Sequence, residues 1–404
     1  MKRPELLVPA GNLEKARVAV AYGADAIYLG GQQFGLRARA GNFTLDEIEV
    51  IVGEAHRRGV KVYVTVNIFA RNRHLPALPV YIEELAALKV DGLIVADPAV
   101  FSLVKRHSPL PIHISTQANV TNWEAVLFWE HLGASRVNLA RELTLDEIAA
   151  IGSRVSLELE GFVHGAMCLA YSGRCLLSAQ MIGRSANLGD CAQSCRWSYA
   201  LMEAKRPGEY YPVDQEPEAS YIMNSRDLCM IEHIPDLLRA GLDSLKIEGR
   251  MKSVHYVATV TKTYREALDA YLANPDDYQT NQAWILELDK VSHRPYNTGF
   301  YFDSQGPGQA VKSRQSIRSA DFLGVVEGIH QNGALVGVRN HIRSDEELEI
   351  LAPTGPPWSQ QILLYSLEGD PLLAAHANDK VVVPLDKVEP YSILRRLRVE
   401  AGKR

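Results

Sequence analysis

The 404-residue sequence predicts an α/β protein: a (β/α)8 TIM-like barrel with a cysteine-bearing insertion, followed by a small C-terminal antiparallel β-barrel domain. Three observations predict it. Over residues 1–275, eight short β-branched runs alternate with amphipathic helical stretches, the rhythm of a parallel sheet with crossover helices. That rhythm breaks once, in an insertion over 160–230 that holds all five cysteines. From residue 276 a connecting segment (276–320) rich in glycine and proline leads to short strands over 321–404.

Taken in order, the strand-like runs are "ELLVPA" (5–10), "AIYLGG" (26–31), "KVYVTVN" (61–67) and "GLIVAD" (92–97). They continue with "PIHISTQ" (111–117), "RVNLARE" (136–142), "LELEGFVHG" (157–165) and "SLKIEGR" (244–250). Thr44 and Thr144, each followed three residues later by a glutamate (Glu47, Glu147), read as capping boxes that open helices. Gly23, Gly59 and Gly133 fall where helices should stop. An open doubly wound sheet is the alternative, but the first βα turn, "VPAGNLEKA", has no glycine fingerprint for a dinucleotide. In the second domain the strand-like runs are 322–329, 334–339, 348–353, 362–367 and 380–385, separated by turn residues.

Composition narrows the class. A hydrophobic content of 47% is that of a folded protein with a real core. No apolar run approaches a membrane span, and the start "MKRPELLVPAGN" is broken by Pro4 and Pro9 before it resembles a signal peptide. The expectation is a cytoplasmic protein with no membrane partner. A formal charge of −5 argues against a strongly basic nucleic-acid binder, while leaving two local basic patches, "KSRQSIR" (312–318) and the tail 394–404.

Five cysteines in a chain this long do not suggest a disulfide scaffold. Cys168-x6-Cys175-x15-Cys191-x3-Cys195 brings four soft ligands within reach of one site. Thiolates suit an iron–sulfur cluster or zinc, and the spacing leaves both open, with no metal as the bland alternative. Cys229 reads as a buried small hydrophobe.

In a barrel the polar groups at strand C-termini face the active-site mouth. Glu160, His164 and His113 are the catalytic candidates. Asn67, Gln117, Arg141, Lys246, Glu248 and Arg250 are the substrate-binding candidates, with Asp97, Ser115 and Asn119 near the same ends. "KIEGR" suits a small organic acid, because arginine holds carboxylates in bidentate fashion. It equally suits an ion-pair network. Arg37 and Arg39 lie in a loop that could reach RNA or substrate.

The stretch "EGFVHGAMCLAYSGRCLLS" (160–178), with "ELLVPAGN", "YGADAIYLGG", "GDCAQSCRW", "RPGEY", "YIMNSRDL" and "SLKIEGR", resembles the collagenase-like peptidase U family over essentially the whole chain. The resemblance is closest to its tRNA-hydroxylating branch. It implies the barrel, the insertion and the small β-domain. It also implies an RNA hydroxylase that forms 5-hydroxyuridine at the wobble position of the tRNA anticodon loop. Such an enzyme is prephenate-dependent and carries an iron–sulfur (4Fe–4S) cluster, here on Cys168, Cys175, Cys191 and Cys195. Other members imply ribosomal RNA or a quinone as alternative substrates.

The family's peptidase name finds no H-E-x-x-H and no G-x-S-x-G in this sequence. Four thiolates would also close a zinc shell and leave no place for catalytic water. A non-catalytic scaffold with a structural cluster is a third reading.

Overall fold

A computed structural model describes residues 3–35, 42–167, 175, 177–184, 191–194, 197, 200–201, 211–212, 226–302, 317–387 and 389–398. Cys168, Cys195, Arg37, Arg39 and most of the patch 312–318 lie outside the described residues.

Eight parallel strands close the barrel: β1 (Glu5–Pro9), β2 (Ala26–Gly30), β3 (Lys61–Val66), β4 (Gly92–Val95), β5 (Ile112–Ile114), β6 (Arg136–Asn138), β7 (Glu158–Ala166) and β8 (Ser244–Ile247). Strand β8 pairs with both β7 and β1, which closes the ring. Helices α1 (Leu13–Ala21) to α6 (Leu145–Gly152) fill the crossovers. Both capping boxes form: the Thr44 and Thr144 side chains accept from the Glu47 and Glu147 amides while each glutamate reaches back. Each box satisfies helix donors that have no partner of their own.

The lumen is divided in character. Leu7, Ala26, Tyr28, Tyr63 and Ile94 make an apolar half on β1 to β4. The facing positions of β5 to β8 carry His113, Arg136, Asn138, Glu160, Ser244 and Lys246, all buried. Barrel interiors are normally filled by branched aliphatic side chains, and this half departs from that pattern.

Strand β7 outruns the barrel. Its far end pairs antiparallel with the short strand Asp227–Cys229, and within the intervening insertion lies helix α7 (Leu177–Ile182). Helix α8 (Ile234–Arg239) precedes β8, and the 20-residue helix α9 (Val254–Ala273) and helix α10 (Gln282–Leu288) follow it, so part of the expected connecting segment is helical. Among the described residues no helix is long and apolar enough to cross a membrane.

The C-terminal domain is an eight-stranded antiparallel sheet. It curls around Leu323, Val326, Val336, Leu348, Ile362 and Leu394. The strand Ile393–Leu397 sits near its centre, between Ala320–His330 and Glu346–Leu351. This strand begins the basic tail that the sequence offered as a nucleic-acid patch. Its arginines are committed within the fold: Arg395 to Glu287 and Glu349, Arg396 to Glu346, and the adjoining Arg398 to Asp321. Arg395 is wholly buried and also reaches His255 and Thr259 of α9. Lys262 of α9 donates to the Ala352 carbonyl at 2.6 Å, and the Tyr22 hydroxyl to that of Leu351 at 2.7 Å. The two domains are thus joined by buried polar bonds as well as by packing.

Candidate active site at the barrel mouth

The polar half of the lumen is an ordered ion network. Lys246 Nζ donates to Glu160 Oε1 at 2.6 Å, and Arg136 reaches Glu160 Oε2 at 3.2 Å, Glu158 at 2.7 Å and Glu5 at 2.5 Å. Burial opposes ionisation of Glu160, but Lys246 and Arg136 outweigh it and hold the carboxyl below its usual range. Lys246 also lies 4.5 Å from the centre of the Tyr28 ring, on the ring's electron-rich face. His113 packs edge-on against Tyr63. Burial first, then Arg136, pushes His113 down to about 3, so its imidazole is neutral.

Above the network, the strand ends carry a second tier. Asn67 donates to Ser115 at 3.3 Å and to Gln117 at 3.2 Å, and Ser115 donates to Gln117. Asp97 caps helix α4 (Pro98–His107) by accepting from Ala99 and Val100, a structural duty. Asn119 takes the left-handed conformation just beyond. Arg250 donates to Asn42 at 2.8 Å and to Thr65 at 3.4 Å. A Cβ on Gly30 would overlap its guanidinium, so only glycine lets Arg250 lie across the end of β2. Glu248 accepts from the Tyr28 hydroxyl at 3.1 Å. The Arg141 guanidinium lies 3.9 Å from the centre of the Phe162 ring.

"KIEGR" is therefore not one anion clamp. Lys246 points into the lumen and Glu248 to Tyr28, while Arg250 crosses to the ends of β2 and β3. Glu160 and His113 share the lumen, but His164 does not join them. A bulge at Val163 sets Phe162 opposite Lys246 and His164 opposite Ile247, which turns the histidine to the outer face. There it meets Tyr256 and Tyr264 of α9 and Tyr296, with Tyr264 Oη 3.4 Å from Nδ1 and Tyr296 Oη 3.5 Å from Nε2. Burial, then His293 and Lys252, holds His164 well below its ordinary value. Cys229 pairs across the strand with His164, and burial pushes its thiol up to about 12.

One residue escaped the sequence reading. Asn138 ends β6 and is buried, and neither of its amide atoms has a hydrogen-bond partner. The available signal was parity: it lies two residues beyond Arg136 on the same strand.

Of the cysteines proposed as ligands, Cys175 and Cys191 are half-buried free thiols. The Ser178 hydroxyl accepts from the Ala192 amide at 3.0 Å, tying the start of α7, two residues past Cys175, to the Cys191 turn. Cys191 Sγ accepts from the Gln193 amide at 3.3 Å, in a turn where Gln193 has a φ of +55°. An amide aimed at sulfur stabilises thiolate charge, so this donor set fits a thiolate-bound group.

A family model for peptidase family U32 matches residues 11–310, and one for the peptidase family U32 C-terminal domain matches residues 318–395. The chain is 42% identical over 402 residues to the tRNA hydroxylation protein P1 of Bacillus subtilis, covering 98% of this chain and 95% of that one. It is 38% identical over 405 residues to the tRNA hydroxylation protein P of Escherichia coli, covering 88% of this chain and 87% of that one. It is also 38% identical over 301 residues to the 23S rRNA 5-hydroxycytidine synthase of Escherichia coli, covering 72% of this chain and 44% of that one. With its barrel and its C-terminal sheet both matched, the chain belongs to peptidase family U32.

Proposed function

We propose that this chain is an RNA hydroxylase that converts the wobble uridine of a tRNA anticodon loop to 5-hydroxyuridine, using a small organic acid such as prephenate and an iron–sulfur cluster. The observation that carries it is the likeness to a tRNA hydroxylation protein through 98% of the chain, across both domains. A loop nucleotide suits a barrel mouth, because an unpaired base can be swung out and reached at its edge. Ribosomal RNA is the second reading, favoured by the likeness to a cytidine-hydroxylating synthase.

Within this reading, Cys168, Cys175, Cys191 and Cys195 hold the cluster beside the mouth. A bound cluster supplies one-electron chemistry. Lys246 is already matched by Glu160, so it offers little to an incoming acid. The carboxylates of the acid fall instead to Arg250 on the rim, a planar group suited to bidentate binding. For the peptidase alternative, His113 and His164 are poor candidate bases, since both are held far below their ordinary values and each is a weak acceptor of protons.

Nucleoside analysis of tRNA from cells lacking the gene tests the function. Loss of hydroxyuridine derivatives, restored by a plasmid copy, is expected. Unchanged tRNA with altered ribosomal RNA moves the substrate to the second reading. Iron and acid-labile sulfide, measured on protein purified without oxygen, test the cluster; stoichiometric zinc in their place removes it.

A further inference from the structure

Asn138 is 2% exposed, at the C-terminal end of a barrel strand, with both amide atoms unmet. A fold gains nothing from burying an unpaired amide, so a position that keeps one there points to recognition. Its direction follows from register. Arg136 faces the lumen, bonded to Glu5 and Glu160, and Asn138 stands opposite Glu160 on β7.

The surroundings specify what Asn138 would meet. On the neighbouring strand His113, opposite Arg136, is neutral and its Nδ1 has no partner. On the other side Phe162, two residues beyond Glu160, carries the Arg141 guanidinium over its ring, 3.9 Å from the centre. The buried cation at this level, Lys246, is already matched by Glu160. The group received here is therefore neutral and flat, with a donor and an acceptor side by side.

We propose that Asn138 reads the edge of the target pyrimidine, its Nδ2 donating to uracil O4 and its Oδ1 accepting from uracil N3–H. This rests on the RNA-hydroxylase reading. An asparagine amide and that uracil edge are complementary, donor to acceptor and acceptor to donor. A half-turn of the same amide serves the reversed edge of cytosine, so one residue type suits relatives that act on either base. Arg141 and Phe162 supply the flat surface against which a swung-out base stacks.

The test is a binding cycle on the full-length protein. The probes are synthetic anticodon stem–loops with either uridine or 3-methyluridine at the wobble position, since the methyl group removes the N3–H donor. N3 methylation is expected to weaken binding to the unaltered protein by about tenfold. Asn138→Ala is expected to lose a similar factor with the uridine probe and to be indifferent to methylation. Melting separates this from a structural role: removing a buried unpaired amide leaves the melting temperature equal or higher, whereas a structural asparagine lowers it.

Losses that simply add, or a variant that binds as tightly as the original, overturn the assignment. So does an unaltered protein that binds both probes alike. An unaltered protein that binds neither probe overturns the tRNA-substrate reading within which the assignment is made.

Discussion

Lys246 and Glu160 face one another across 2.6 Å inside the barrel, with no more than 5% of either side chain exposed. Removing one partner leaves a charge stranded in a low-dielectric interior. Glu160→Gln and Lys246→Met are each expected to cost roughly 3–5 kcal/mol, and the double variant less than their sum. Urea unfolding of the four proteins gives the coupling directly. Purely additive losses would mean that the pair is not a unit.

Stability should fall on acidification in two stages. His113 and His255 are each pushed down to about 3, burial being the larger cause and Arg136 or Arg395 the next. In the unfolded chain they protonate near 6.5, so the unfolded state takes up protons first as pH drops through that value. Each histidine then removes about 1.4 kcal/mol per pH unit. Glu160 and Glu287, both held below their usual 4.5 by partner cations that outweigh burial, add a second loss below that pH. Urea midpoints measured between pH 4 and 8 should show a shallower first stage in His255→Gln, with the His113 contribution remaining.

Arg395 is the bolt between the domains. Arg395→Met leaves Glu287 and Glu349 to share Lys290 alone and is expected to cost about 1–3 kcal/mol. Limited proteolysis followed by mass spectrometry should then release the barrel and the C-terminal sheet as separate fragments. The unaltered protein should resist under the same conditions.

Gly165 has a φ of +106°, and a Cβ there would overlap the Glu248 carbonyl oxygen. Gly165→Ala is expected to lower stability by about 1–3 kcal/mol through the strained backbone alone, and more through displacement of β8. Thermal melting reads this. A melting temperature unchanged within a degree or so would show that the turn adapts freely.

The cysteines separate by their settings. Cys175→Ala and Cys191→Ala are expected to lose most of the iron and acid-labile sulfide. Cys229→Ala should keep both, since that thiol faces Tyr264 and is held protonated by burial. Iron loss from the Cys229 variant equal to that of Cys191→Ala would reverse the ligand assignment.

The barrel was legible because its signals are local: β-branched runs, two threonine caps and the glycines after helices are each complete within a few residues. The site was legible only in part. Alternation along β7 places Glu160 in the lumen correctly and would place His164 there too, but the bulge at Val163 reverses the histidine. Nothing in the composition of that strand announces a bulge. Arg395 looked like tail charge because its partners, at 287 and 349, are remote in sequence. Asn138 was passed over because an unmet amide is a property of its surroundings, not of its residue type.

The position of the strand Ile393–Leu397 carries a consequence for the order of assembly. Strands 320–330 and 346–351 are neighbours only through it, so the sheet has no centre until the last-made strand arrives. During synthesis the barrel is complete, with Glu287 already in place, long before Arg395 emerges. Docking of the second domain is therefore a late, long-range step. Until then Glu287 has Lys290, three residues on, as its partner, and the second cation of the pair is still to come.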